Sequence, residues 1–256
     1  MSAIRFTLRG LASADGLSPR QRYVQTLTEY LQPNSTTRTE AAAKSIDTLS
    51  PLKQEDGEPS STEDFVWGFW DDIDQIARQI PHNHAAQDKL VDVIRELKAL
   101  PPTTITVWGN EQRLWTDLPL AGPVFRDAWV GPQEGDKSSQ DQWVNKNAFF
   151  ARLFGTRTVS WKPNFAVWTM RDALESSAEY AGKYLYEWTL NGESDEEFVN
   201  VTSSGELFSG SAGLNSERWT FWKTRFESIS SELETEESTN RAREAAKQMA
   251  AIDGSS

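Results

Sequence analysis

"DFVWGFWDDIDQIARQIPHNHAAQDKLVDVIRELKAL", residues 64–100, reads as two helices with a turn between them, and its reading sets the class of the whole chain. Phe65, Phe69, Ile73, Ile76 and Ile80 recur at steps of three and four, which lines one face of a helix with apolar groups that must be buried. Ser60 and Glu63 stand ahead of that stripe at capping-box spacing. Pro81 ends it, because the residue before a proline is driven out of the helical region. Asn83 is then expected to cap a second helix carrying Leu90, Ile94 and Leu97. Both histidines of the chain, His82 and His84, fall in this turn and spell HNH with Asn83. In nucleases known by those letters the residues are spread through a strand, strand, helix module; here they are consecutive. Two histidines alone do not fill a metal's coordination shell, so the segment reads as a helix-to-helix turn with no metal role.

The same spacing continues outward. Val24, Leu27 and Leu31 mark a helix around residues 20–31, and Trp143, Phe150 and Phe154 another around 142–154. Val167, Met170, Leu174, Ala178, Ala181, Leu185 and Trp188 place one narrow stripe on a long helix from Asn164 to Leu190. Trp219, Trp222, Phe226, Ile229 and Leu233, then Ala242, Ala245, Met249 and Ile252, form two C-terminal stripes expected to pack on it. "TTITVW" at 103–108 and "EFVNVTSS" at 197–204 alternate briefly, and neither is expected to build a sheet. Residues 33–37, 50–62, 101–112, 131–140 and 191–216 read as linkers rich in Pro, Gly, Ser, Asp and Glu. The acid run "SELETEES" at 231–238 reads as a solvated helix face. No repeat of fixed period occurs. The expectation is an all-α fold: a flexible N-terminus over residues 1–18, then one irregular multi-helix domain of about eight helices over 19–252, with little or no sheet.

Composition narrows the chemistry. With 26 basic and 38 acidic residues the net charge is −12, which repels phosphate backbones and anionic lipid heads and argues against nucleic-acid and membrane-surface partners. The absence of Cys removes disulfides, thiolate nucleophiles, Cys-ligated zinc and iron–sulfur clusters. No apolar run approaches the roughly 18 residues that span a bilayer, and no signal segment is evident, so a cytoplasmic protein is expected. The sequons at Asn34 and Asn200 are accordingly not expected to be glycosylated. Arg5 and Arg9, with no acid before Asp15, give the first residues only a faint likeness to a transit peptide. The Rossmann, P-loop, HExxH and GxSxG patterns are missing, and no cofactor is expected.

Two sets of residues remain as candidates. In "WDDID", residues 70–74, Asp71, Asp72 and Asp74 approach the DDxxD arrangement with which helical terpene cyclases hold magnesium diphosphate, but Gln75 stands where the last acid belongs. The second metal motif of that class is not found either: Asn200 is followed by Ser204 and then by Phe208. Acids early in a helix also stabilise its dipole, so the motif reads as structural. The other set is the eleven Trp. Trp168, Trp188, Trp219 and Trp222 lie on or beside helical stripes and read as packing residues, whereas Trp108, Trp115 and Trp161 lie in or next to connectors. The stretch 108–129 is therefore where a ligand pocket is sought, with Trp108, Arg113, Trp115, Asp117, Arg126 and Trp129 as its candidate binding residues beside Asp127.

The ordered set "IARQIPHNHAAQDKLVDVIRELKAL", "RLWTDLPLAGPVFRDAW", "WVNKNAFFARL", "WTMRDALE" and "WTFWKTRFESI" resembles an uncharacterised fungal family, domain of unknown function 3632, over roughly residues 20–250. The resemblance implies a fungal, intracellular, mostly helical protein, and some relatives lie near specialised-metabolite genes; it carries no catalytic residues across. The function expected is that of a non-catalytic interaction or accessory protein tied to such a pathway. The alternative is a cofactor-free cyclase or isomerase, or a binder, acting on an apolar metabolite in a Trp-lined pocket. The partner is accordingly an unknown protein or an apolar small molecule.

Overall fold

The computed structural model describes residues 3–10, 18–54, 61–133, 135–159, 164–174, 202–205, 207–231 and 236–253, without the side chains of residues 166, 172–174, 237 and 238. The chain divides into two compact units, residues 1–149 and 150–256. Nine α-helices and one two-stranded sheet are present among the described residues, so the protein is mostly helical, as the three-and-four spacing requires.

The first unit begins with residues held by glutamines. The backbone N–H groups of Ile4, Thr7 and Arg9 donate to the side-chain oxygens of Gln32, Gln79 and Gln75 at 3.0, 2.8 and 2.8 Å. Gln32 and Gln79 return hydrogen bonds to the carbonyls of Ile4 and Thr7. Helix α1 (Pro19–Tyr30) starts with a full capping box between Ser18 and Gln21 and with Pro19 in its first turn, and it buries Tyr23, Val24 and Leu27. Helix α2 (Thr39–Asp47) buries Ala42, Ala43 and Ile46; its nine residues make too short a stripe for periodicity to mark. A 3₁₀ turn, Pro51–Lys53, follows.

Helix α3 (Thr62–Gln79) is the axis of this unit, with Phe69, Ile73 and Ile76 fully enclosed and Ile80 buried just past its end. Its N-cap, Ser61, makes no side-chain capping bond; Ser60, expected to form a capping box with Glu63, lies outside the described residues. Helix α4 (Ala86–Ala99) buries Leu90, Ile94 and Leu97 as expected. Two strands follow, β1 (Thr103–Val107) and β2 (Asn110–Leu114), antiparallel with Thr103 opposite Leu114 and Val107 opposite Asn110. The stretch read as a linker thus holds a hairpin, hidden because "NEQRL" is polar and its two-residue turn, Trp108-Gly109, is not a usual turn pair. A short helix, α5 (Ala121–Asp127), comes next, and α6 (Lys137–Gly155) contains the boundary between the units.

The core of the first unit is a chain of edge-to-face aromatic rings: Tyr23 on Phe69, Phe69 on Trp70 and Trp115, Trp70 on Phe125, and Phe125 on Phe149, with centroids 4.9 to 6.4 Å apart. In the second unit, Val167 and Met170 of α7 (Asn164–Leu174) share a core with Trp219, Trp222 and Phe226 of α8 (Ser216–Ile229) and with Ala242, Ala245, Ala246 and Met249 of α9 (Glu236–Asp253). The C-terminal stripes do meet the start of the helix expected to receive them. The side chain of Leu174, with Ala178, Ala181, Leu185, Trp188, Leu233 and Trp161, lies outside the described residues.

Candidate functional site

The acid motif of α3 is consumed by bonds inside the first unit. Asp72 is fully buried, and its carboxylate accepts two hydrogen bonds from Arg20, at 2.8 and 2.7 Å, and one from the Tyr23 hydroxyl at 2.7 Å. The bond to Asp72 holds the Arg20 guanidinium above even its ordinary range. Burial, reinforced by the adjacent Asp72 charge, pushes the Tyr23 phenol well above its own, so Tyr23 stays a donor. Two residues on, Asp74 accepts from Arg78 Nε at 2.6 Å and lies 2.9 Å from the ammonium of Lys146 on α6. Lys146 is itself enclosed. It donates to the Ala128 carbonyl at 2.7 Å and sits 4.8 Å from the centroid of the Trp129 ring. Loss of hydration on burial, opposed in part by Asp74, pushes its ammonium down to about 8. Asp71, the third acid, accepts from Gln75 and faces Arg9 at 3.7 Å. The reading of this motif as structural gains its reason here, which is pairing across helices more than the helix dipole.

The HNH turn is a cap. His84 Nδ1 accepts the N–H of Ala86 at 3.0 Å and so starts α4, while His82 offers its backbone N–H to the Asn145 side chain at 2.7 Å. The expected cap, Asn83, is exposed to solvent, and the imidazole takes its place. Among the described residues no three His, Asp or Glu side chains come together in a way that could hold a metal ion.

The candidate binding residues of the stretch 108–129 go to different places. Trp115 is 2% exposed, its ring set among Phe65, Phe69 and Trp70 and its N–H donated to Asp47 at 2.9 Å. Its ring is part of the core of the first unit. Its φ of +63° turns the chain sharply, with the Thr116 N–H bonded to the Leu114 carbonyl, and Leu118 and Leu120 are left-handed as well. Three bulky side chains are thus driven inward within six residues by backbone that side chains seldom adopt. Arg113 and Asp117 clamp this bend from outside with side-chain hydrogen bonds of 2.6 to 3.1 Å, and those bonds hold the Asp117 carboxyl below its usual range. Arg126 is on the surface beside Asp127. Trp129 rests edge-on against Trp143, with ring centroids 5.0 Å apart.

Of the three indoles among these six residues, Trp108 is the one exposed to solvent. It is 59% exposed at the tip of the hairpin, and its φ of +49° with Gly109 at +77° makes the two-residue turn of the kind that favours Asn-Gly. Its backbone N–H donates to Glu63 of α3 at 3.2 Å, which fixes the tip beside that helix. One turn along from Glu63 stands Trp67, 37% exposed, which sequence reasoning passed over. Its signal was there: two residues from Phe65 and from Phe69, at about 100° per residue, places an indole on the helix face opposite the buried stripe.

A family model described as "Protein of unknown function (DUF3632)" matches residues 70–226, more than half of the chain. The chain belongs to this family. The match to family 3632 runs from Trp70 within α3 to Phe226 within α8, and so spans this chain's acid motif, hairpin, bend at Trp115 and Lys146. No curated protein and no solved structure matches it.

Proposed function

We propose that this member of family 3632 is a non-catalytic interaction protein of the fungal cytoplasm, acting as an accessory factor in a specialised-metabolite pathway. The observation that carries the reading is the hairpin tip. Trp108 occupies a strained turn position without gaining burial, the reverse of Trp115, Leu118 and Leu120, whose left-handed backbone is matched by enclosure in the core. A large aromatic ring presented to solvent on an anchored turn is the kind of side chain that dominates the binding energy of protein interfaces. Further support comes from the acids of α3, which are engaged in holding helices together, and from the neighbourhood of specialised-metabolite genes that the family resemblance implies.

The test is affinity purification from the native host with the full chain and with Trp108→Asn. A specific protein retained by the native chain and lost by the variant is the expected result. Repeated captures with nothing above background overturn the reading. Deletion of the gene followed by comparison of small-molecule extracts tests the pathway assignment, with a lost or stalled metabolite as the expected outcome.

A further inference from the structure

We infer that Trp67 and Trp108, with Glu63, Asp64 and Glu111, form a docking surface for a basic segment of a partner protein, one of whose arginine or lysine side chains lies on an indole face and is answered by these carboxylates. The inference rests on the interaction reading and names the chemistry of the partner. Its basis is the convergence of two kinds of group. The hydrogen bond from the Trp108 N–H to Glu63 pins the hairpin tip beside α3, and Glu63 and Trp67 share one face of that helix at a spacing of four residues. Asp64 is exposed on the same first turn, and Glu111 is exposed immediately after the tip. Among the described residues none of these three carboxylates forms a salt bridge, so the two indoles stand in a field of unneutralised negative charge.

Charge complementarity selects the occupant. The chain as a whole carries −12, which draws a cationic segment toward it and repels an acidic one. Aromatic faces beside carboxylates offer a cation both a quadrupole and a counter-charge. The molecule already uses that pairing internally, where the Lys146 ammonium lies 4.8 Å from the Trp129 ring and 2.9 Å from Asp74. The two surface indoles and three carboxylates repeat the chemistry with the cation left to be supplied from outside. The turn itself supplies the second line of support, because a bulky residue in left-handed backbone carries strain that Asn would avoid, and burial of the ring does not offset it.

The experiment titrates the ¹⁵N-labelled full chain with two synthetic peptides, acetyl-GRGRGRGR-amide and the neutral acetyl-GLGLGLGL-amide, and follows the indole N–H resonances. Trp67→Gln and Trp108→Asn identify the two signals, and Trp108→Asn is expected to fold at least as well as the native chain because Asn-Gly suits this turn. Saturable shifts of both indoles with the arginine peptide are expected. Binding should weaken by about tenfold or more in Trp108→Asn and in the double variant Glu63→Gln/Asp64→Asn, and it should fall as salt is raised. Equal affinity for the native chain and Trp108→Asn would mean unspecific attraction to an acidic protein, and would overturn the inference. So would saturable, Trp108-dependent binding of the leucine peptide alone, although the interaction reading would then stand with an apolar partner. Absence of any indole shift also overturns it; the host capture experiment separately decides whether the protein binds a partner through another surface.

Discussion

The two units bury positive charge by different means. In the first, Arg20 and Lys146 each meet a carboxylate of α3, Asp72 or Asp74, across 52 and 72 positions of sequence. In the second, the fully buried Arg218 donates to the backbone carbonyls of Thr202, Gly213 and Ser203 at 2.6, 2.9 and 3.1 Å, between the rings of Trp222 and Phe208. The acceptors lie 5 to 16 residues away, in the loop just ahead of its own helix. Carboxylates therefore specify which distant helices meet in the first unit, while carbonyls tie a loop to its neighbouring helix in the second. A buried charge tolerates a mismatched partner poorly, so the first arrangement discriminates between packings as well as stabilising one.

The largest effect that would test this contrast is expected at Asp72. Asp72→Ala strands the Tyr23 hydroxyl in the core and Arg20 beside it, and should lower the free energy of unfolding by about 3 kcal/mol in urea titration. Arg218→Met removes charge-assisted bonds to carbonyls and should lower it by about 1.5–3 kcal/mol. A larger loss at Arg218 than at Asp72 would reverse the proposed difference between long-range and local burial. Lys146 gives the contrast a pH signature. Its ammonium loses its proton near 8 in the folded chain and near 10.5 when unfolded, so between those values the unfolded chain binds more protons. Stability of the native chain relative to Lys146→Met should therefore rise as pH climbs from 8 toward 10.5 and be level below 8. A flat difference across that window would mean that the cage does not desolvate the lysine. The smallest effect is local: His84→Ala removes the cap of α4 and should cost about 1 kcal/mol, read by the same titration.

Apolar periodicity carried most of the fold, because a three-and-four stripe on a water-soluble helix has few places to go except inward. It located α1, α3, α4, α6, α8 and α9, and the start of α7. It did not mark α2 or α5, whose few turns leave too little pattern, nor the hairpin, whose second strand is polar on both faces except at Leu114. The candidate site was less legible. The segment 108–129 was marked as irregular, and it holds four residues other than glycine with positive φ, yet whether a Trp there faces core or solvent depends on a backbone turn that composition does not record. Trp108 and Trp115 are the same residue type in adjacent turns with opposite fates. The pairing of Asp72 with Arg20 was out of reach for another reason: nothing local to either residue points to a partner 52 positions away.

The boundaries of the family match and the boundaries of the folding unit do not coincide. Residues 70–226 begin eight residues into α3, after Phe65, Phe69 and Trp67, and omit Arg20 and Tyr23. A recombinant fragment cut at Trp70 would leave Asp72 without its three hydrogen bonds, Trp115 without Phe65, Phe69 and Asp47 beside it, and the hairpin tip without Glu63. It would also end at Phe226, ahead of all of α9, whose Ala242, Ala245 and Met249 complete the second core. Such a fragment is expected to be insoluble or unfolded when expressed, because the matched stretch starts inside the core of the first unit and stops inside that of the second.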